Sequence, residues 1–111
     1  MRKDSKAEAT PFPDLTPYPG GDLIEKGLAD LKEGRQSEEA LLVMIAAANL
    51  RRLGLPVPVF PEPAEPHEHA LYRLIGEREP KGAHAEYNAL IALLVSFEQT
   101  YWRAKRRSAN G

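Results

Sequence analysis

Cysteine is absent from the 111 residues. Disulfides, thiolate metal sites, cysteine nucleophiles and thiol redox switching are excluded with it. No run of about 18 apolar residues exists, so nothing reads as a membrane span. The opening Met1-Arg2-Lys3-Asp4-Ser5-Lys6 leads into no apolar stretch of the kind a secretion signal needs, and the expected location is the cytoplasm. Neither sign of charge dominates: 15 basic side chains stand against 16 acidic ones, for a net charge of −1. Nucleic-acid modules usually carry a strong basic excess, so any such contact here has to come from a local patch. Phosphate-cradling GxxxxGKS/T and GxGxxG loops are missing, as is a serine in a glycine elbow.

What is present is an ordinary globular composition, 42% hydrophobic and 28% charged, in a length that fits one domain. Proline marks out the organisation. Pro11, Pro13, Pro17 and Pro19 forbid a helix near the amino terminus, and Gly20-Gly21 closes that stretch. Residues 1–21 therefore read as an extended arm. Phe12, Leu15 and Tyr18 recur every third residue, the polyproline II period, and are expected to lay one face on the body of the protein. Five prolines between Leu55 and Pro66 define a second extended segment. Its Pro58-Val-Phe-Pro61 matches the PxxP pattern of peptide ligands. Val57, Val59 and Phe60 are too apolar to leave exposed, which predicts a strap packed across the fold.

Between and after these segments the pattern is helical. Asp22 is a candidate N-cap for a helix carried by Ile24, Leu28 and Leu31 and closed by Gly34. Ser37 is a candidate cap for a second helix running to Gly54, with Glu38 and Glu39 at the positive end of its dipole. From Ala40 to Ala48 this helix is apolar on every face, which predicts a central position. A short third helix after Pro66, with Leu71, Leu74 and Ile75, is expected to end at Gly76. The fourth is predicted over Ala83 to about Arg106, with Ala83, Tyr87, Leu90, Ile91, Leu94, Phe97 and Tyr101 in one stripe. It would be about 36 Å long against about 25 Å for the second helix. The expected fold is an all-α four-helix bundle over residues 22–107, with a proline-rich arm, a proline-rich strap and a flexible tail at 108–111. The fourth helix is expected to overhang the bundle and expose Phe97, Tyr101 and Trp102, an aromatic patch of the kind that marks an interface. A homodimer through this helix follows, with an unknown protein as the other possible partner.

Candidate chemistry is sparse. His67-Glu68-His69 invites a metal reading, yet residues two apart point to different sides of a helix, and no metal or cofactor is expected. His84-Ala85-Glu86 matches the HxE of zinc nucleobase deaminases, which the lack of cysteine excludes. Arg78-Glu79-Pro-Lys-Gly-Ala-His84 resembles the active-site signature of HEPN-type ribonucleases. Those are small helical-bundle proteins that dimerise and bring two such motifs together on RNA. The resemblance implies that Arg78 would hold a phosphate and His84 would act as acid or base. Asn49, Asn88 and Glu98 interrupt apolar positions and suggest a small polar pocket, with Glu98–Arg103 or Asn49–Tyr87 as pairs. Arg103, Lys105, Arg106 and Arg107 make the last helix end basic, which suits the helix dipole and also offers a nucleic-acid contact. The leading expectation is a non-enzymatic helical interaction or regulatory protein. A ribonuclease and a nucleic-acid binder are the alternatives.

Overall fold

The computed structural model describes residues 14–110, with side chains described as far as residue 107. Phe12 and most of the expected arm lie outside the described residues. The described part is all-α, as the helical periodicities predict, and contains no strand. Its helices are α1 (Gly21–Lys32), α2 (Glu38–Ile45), α3 (Ala47–Arg52), α4 (His67–Arg78) and α5 (Ala83–Asn110). None of them is long and apolar enough to cross a membrane.

The segment before α1 folds as two consecutive tight turns and not as an extended polyproline II run. The Tyr18 amide donates to the Leu15 carbonyl at 3.0 Å, and the Gly21 amide donates to the Tyr18 carbonyl at 2.9 Å. Gly20, at φ 76° and ψ 0°, takes the left-handed position that a type II turn with Pro19 before it requires. The turn sets the start of α1 two residues earlier than expected. Gly20 is the N-cap and Asp22 lies inside the first turn, where its charge still faces the positive end of the dipole. Glu25 accepts from the Leu15 amide at 2.7 Å and holds the turn down. Leu15 is consequently fully buried.

Two of the predicted stops are closed by paired backbone bonds. After α1, Gly34 (φ 73°) is flanked by Gly34 N–H to Leu31 O and Arg35 N–H to Asp30 O. After α3, Gly54 (φ 91°) is flanked by Gly54 N–H to Arg51 O and Leu55 N–H to Leu50 O. Both are Schellman closures. Ser37 caps α2, its hydroxyl oxygen accepting from the Ala40 amide at 3.0 Å.

The expected single second helix is two. Ala46 sits at φ −98° and ψ 13°, between the helical and bridge regions, and divides α2 from α3 with neither proline nor glycine at the break. The first half is the centre of the molecule, packing on α1, α4 and α5, with Ala40, Leu41, Leu42 and Val43 buried. The second half is redirected towards the distal part of α5. Two further expectations are corrected. α4 continues through Gly76 to Arg78, where the Arg78 guanidinium donates twice to Glu38 on α2, at 2.6 and 2.8 Å. Val59 is 93% exposed, because the strap anchors through Leu55 and Val57 and through Phe60, which lies between Arg51 and His67.

α5 spans 28 residues, about 42 Å at 1.5 Å per residue, along a molecule whose longest extent is 44 Å. Its length does not leave the aromatic residues bare. Phe97 is fully buried and Tyr101 is 9% exposed, so neither belongs to an exposed patch. Tyr18 covers both edge-on, with ring centroids at 6.2 and 5.2 Å. Trp102 alone of the three faces outward, at 49% exposure.

Candidate functional site: the groove between α3 and α5

Three sets of polar side chains are drawn together by the fold. The first surrounds Asp30, the buried charged residue of the described core at 3% exposure. Its carboxylate accepts from Lys26 Nζ at 2.7 Å, Ser37 Oγ at 2.7 Å and Arg35 Nε at 3.2 Å. Because Ser37 also caps α2, the chain Asp30–Ser37–Ala40 N–H ties the end of α1 to the start of α2. These donors, Lys26 first and then Ser37, outweigh desolvation and lower the Asp30 carboxyl to about 2 from an ordinary 3.8. A carboxyl depressed by folding is protonated first in the unfolded chain. Its contribution to stability is therefore complete above about pH 4 and fades as the pH falls towards 2. Asp30→Asn is expected to be less stable than wild type at pH 7, with the gap between the two narrowing from pH 4 to 2. Denaturant midpoints across that range check this, and a constant gap would remove Asp30 from the acid response. Helical periodicity places Asp30 off the apolar face of α1. The turn that brings Arg35 and Ser37 back over it is what buries it.

The second set holds the ribonuclease-like motif. Arg78 is engaged by Glu38 in a bidentate pair and has Glu86 at 3.7 Å. The Glu38 hydrogen bond is the main reason that the guanidinium holds its proton above the ordinary arginine range. His84 is on the first turn of α5, 3.2 Å from Asn88 and beside the Tyr72 ring. Two carboxylates around Arg78 oppose a phosphate there, so the arrangement serves as an α2–α4 clamp and lends the ribonuclease reading no support. His67 packs edge-on against Phe60 at 5.4 Å. Among the described residues no three His, Asp or Glu side chains converge as a metal set.

The third set is the candidate site. Asn49, Arg52 and Leu53 from α3 and its C-cap face Glu98, Gln99 and Trp102 from α5 across an open groove of about 440 Å³. Such volumes lie in the ~300–1,000 Å³ range of small-molecule sites. Asn49 and Glu98, both marked in the sequence as polar interruptions, do meet: Asn49 Nδ2 donates to Glu98 Oε2 at 3.4 Å. Neither takes the partner expected for it. Arg52 donates to the Asn49 amide oxygen. Arg106 lies over the Trp102 ring at 4.7 Å. Lys105 reaches back to α3, its Nζ 3.0 Å from where a methyl group on Gly54 would stand. Arg52 lines the groove, while Lys105 and Arg106 lie beside it, one near Gly54 and one over Trp102. Arg52 has no signal in the sequence beyond its place near a helix end. The break at Ala46 brings it here.

A scan against protein-family models, a search of curated proteins and a search of solved structures each find no match to the chain.

Proposed function

We propose that the protein is a non-enzymatic helical interaction module that pairs with a second copy of itself along α5. The observation that carries this is a second seam on that helix. Ala83, Tyr87, Leu90, Leu94, Phe97 and Tyr101 recur at alternating steps of four and three and point into the bundle. One residue further on, His84, Asn88, Ile91, Val95, Glu98 and Trp102 repeat the same spacing. A one-residue offset turns the seam about 100° round the helix, which takes it to the neighbouring face. Val95 is 43% and Trp102 49% exposed, and Tyr72 of α4, 41% exposed, extends the same surface beside His84. Of the six, Ile91 rests partly on the core, and Val95 and Trp102 are the exposed apolar pair, seven residues apart, the spacing a helix–helix seam uses. The non-enzymatic half of the reading rests on what the polar residues do: Asp30, Glu38 and Arg78 hold helices to one another.

Light scattering coupled to gel filtration, over a range of protein concentrations, tests the pairing. Wild type is expected to run as a dimer. Val95→Glu is expected to weaken association by about a hundredfold or more, since like charges brought face to face cost several kcal/mol. Its helical circular dichroism is expected to be unchanged, because Val95 lies outside the core. A wild-type protein that stays monomeric at every concentration would overturn the pairing.

A further inference from the structure

The described ion pairs are distributed unevenly. All of them draw on Lys26, Arg35, Arg73 and Arg78. Arg51, Arg52, Arg103, Lys105, Arg106 and Arg107 take part in none among the described residues. Arg51 instead donates to the Val57 and Pro58 carbonyls. The approach of Lys105 Nζ to the space beside Gly54 brings the basic end of α5 near the end of α3. Lys32 and Lys81 are likewise in no described pair but lie elsewhere, whereas Arg52, Lys105 and Arg106 come together where α3 ends beside α5, in a chain whose net charge is −1. Trp102 lines the groove there together with Arg52.

We infer that this surface binds single-stranded nucleic acid, a base stacking on Trp102 while Arg52, Arg103, Lys105, Arg106 and Arg107 take the phosphates. Cations that take part in no described ion pair, around a half-exposed aromatic ring, are the combination that sequence-tolerant strand binding uses. Glu98 decides between a strand and an acidic peptide. It sits inside the groove with Asn49 and Gln99, where it repels a peptide carboxylate. It accepts from the exocyclic amino groups of bases, whose edges the two amides also match. The phosphates stay outside, on the arginine rim. Trp102 belongs to this surface and to the α5 seam, so a strand and a second copy of the chain compete for it.

Fluorescence anisotropy of a short fluorescein-labelled oligocytidylate, whose N4 amino groups can donate to Glu98, titrated with the full chain at several salt concentrations, tests the inference. Binding is expected to weaken with salt at a log–log slope of about −3, from about four phosphates at about 0.7 each. Trp102 is the one tryptophan, so stacking is read directly as quenching of the intrinsic fluorescence. Trp102→Leu is expected to lose fivefold to a hundredfold in affinity. The Arg103→Glu/Arg106→Glu/Arg107→Glu variant is expected to lose at least as much with its circular dichroism unchanged. Val95→Glu, which disrupts the self-pairing seam, is expected to bind at least as tightly as wild type. This keeps the inference separate from the dimer: binding by a monomeric wild type supports it while overturning the pairing. No anisotropy change at low salt overturns it. So does binding without tryptophan quenching that heparin and polyglutamate compete for equally well, since that is mere attraction between opposite charges. Loss of binding in Val95→Glu overturns the assignment of the site to one chain.

Discussion

A Gly27→Ala variant is expected to lose about 3 kcal/mol of stability or more, although the substitution raises helix propensity. Gly27 lies in the middle of α1, where alanine is normally favoured over glycine by about 1 kcal/mol. The opposing effect is larger. A Cβ at Gly27 would stand 2.5 Å from Val43 Cγ2 and 2.8 Å from the Glu39 carbonyl carbon, with the Glu39 oxygen nearer still. Val43 could rotate away, but the Glu39 backbone belongs to the first turns of α2 and moves only with the helix. α1 would have to lift off α2 across the most extensive helix–helix contact of the fold. Overpacking of this kind costs about 1–3 kcal/mol even where the neighbours are side chains, and here the neighbour is main chain. Gly76→Ala provides the contrast. That residue is also inside a helix, its nearest neighbour is Ala83 Cβ at 4.0 Å, and a gain of about 0.5–1 kcal/mol is expected. Urea unfolding of both variants checks the pair. A Gly27→Ala protein as stable as wild type would mean that α1 and α2 do not approach as described.

The features legible in the sequence are those whose cause is local. Ser37 caps α2 because its hydroxyl reaches an amide three residues on. Gly34 and Gly54 close helices because only a residue without Cβ takes a positive φ there at little cost. The core stripe of α5 follows from period alone. Misread features involve energies from remote parts of the chain. Gly76 carries the composition of a helix stop, yet α4 passes through it, and the next turn gains a bidentate ion pair with Glu38, 40 residues away in sequence. The break at Ala46 has no sequence signal among alanines that favour helix throughout, and it is this break that aims Arg52 and Leu53 at α5. Asn49 and Glu98 could be recognised as polar residues out of pattern. That they would face each other could not, because the fold of α3 decides it. Asp30 resembles any surface carboxylate until the α1–α2 turn closes over it.

Phe97→Ala is expected to cost about 3–5 kcal/mol, the range for truncating a buried phenylalanine, and to lower Tm by about 15 °C or more. Helix length alone predicts that the last helix overhangs the bundle and exposes this residue. The segment before α1 removes that exposure. The turn from Leu15 to Gly20 folds back between α1 and α5, and the Tyr18 ring stands edge-on to Phe97 and Tyr101, which themselves stack at 5.4 Å. That small aromatic core roofs the end of the bundle that would otherwise lie bare. Burial accordingly raises the Tyr101 phenol pKa above its ordinary value, with the neighbouring Tyr18 adding to it. Trp102, one residue further on, points the other way. Trp102→Ala is expected to change stability by no more than about 1 kcal/mol while weakening both strand binding and self-pairing. Thermal melts of the two variants, followed by circular dichroism, separate the roles. If Trp102→Ala melts as early as Phe97→Ala, Trp102 is part of the core and the surface built on it does not exist. If it melts with wild type, the outward face of α5 carries an indole that folding does not need, lining one groove with Arg52 of α3.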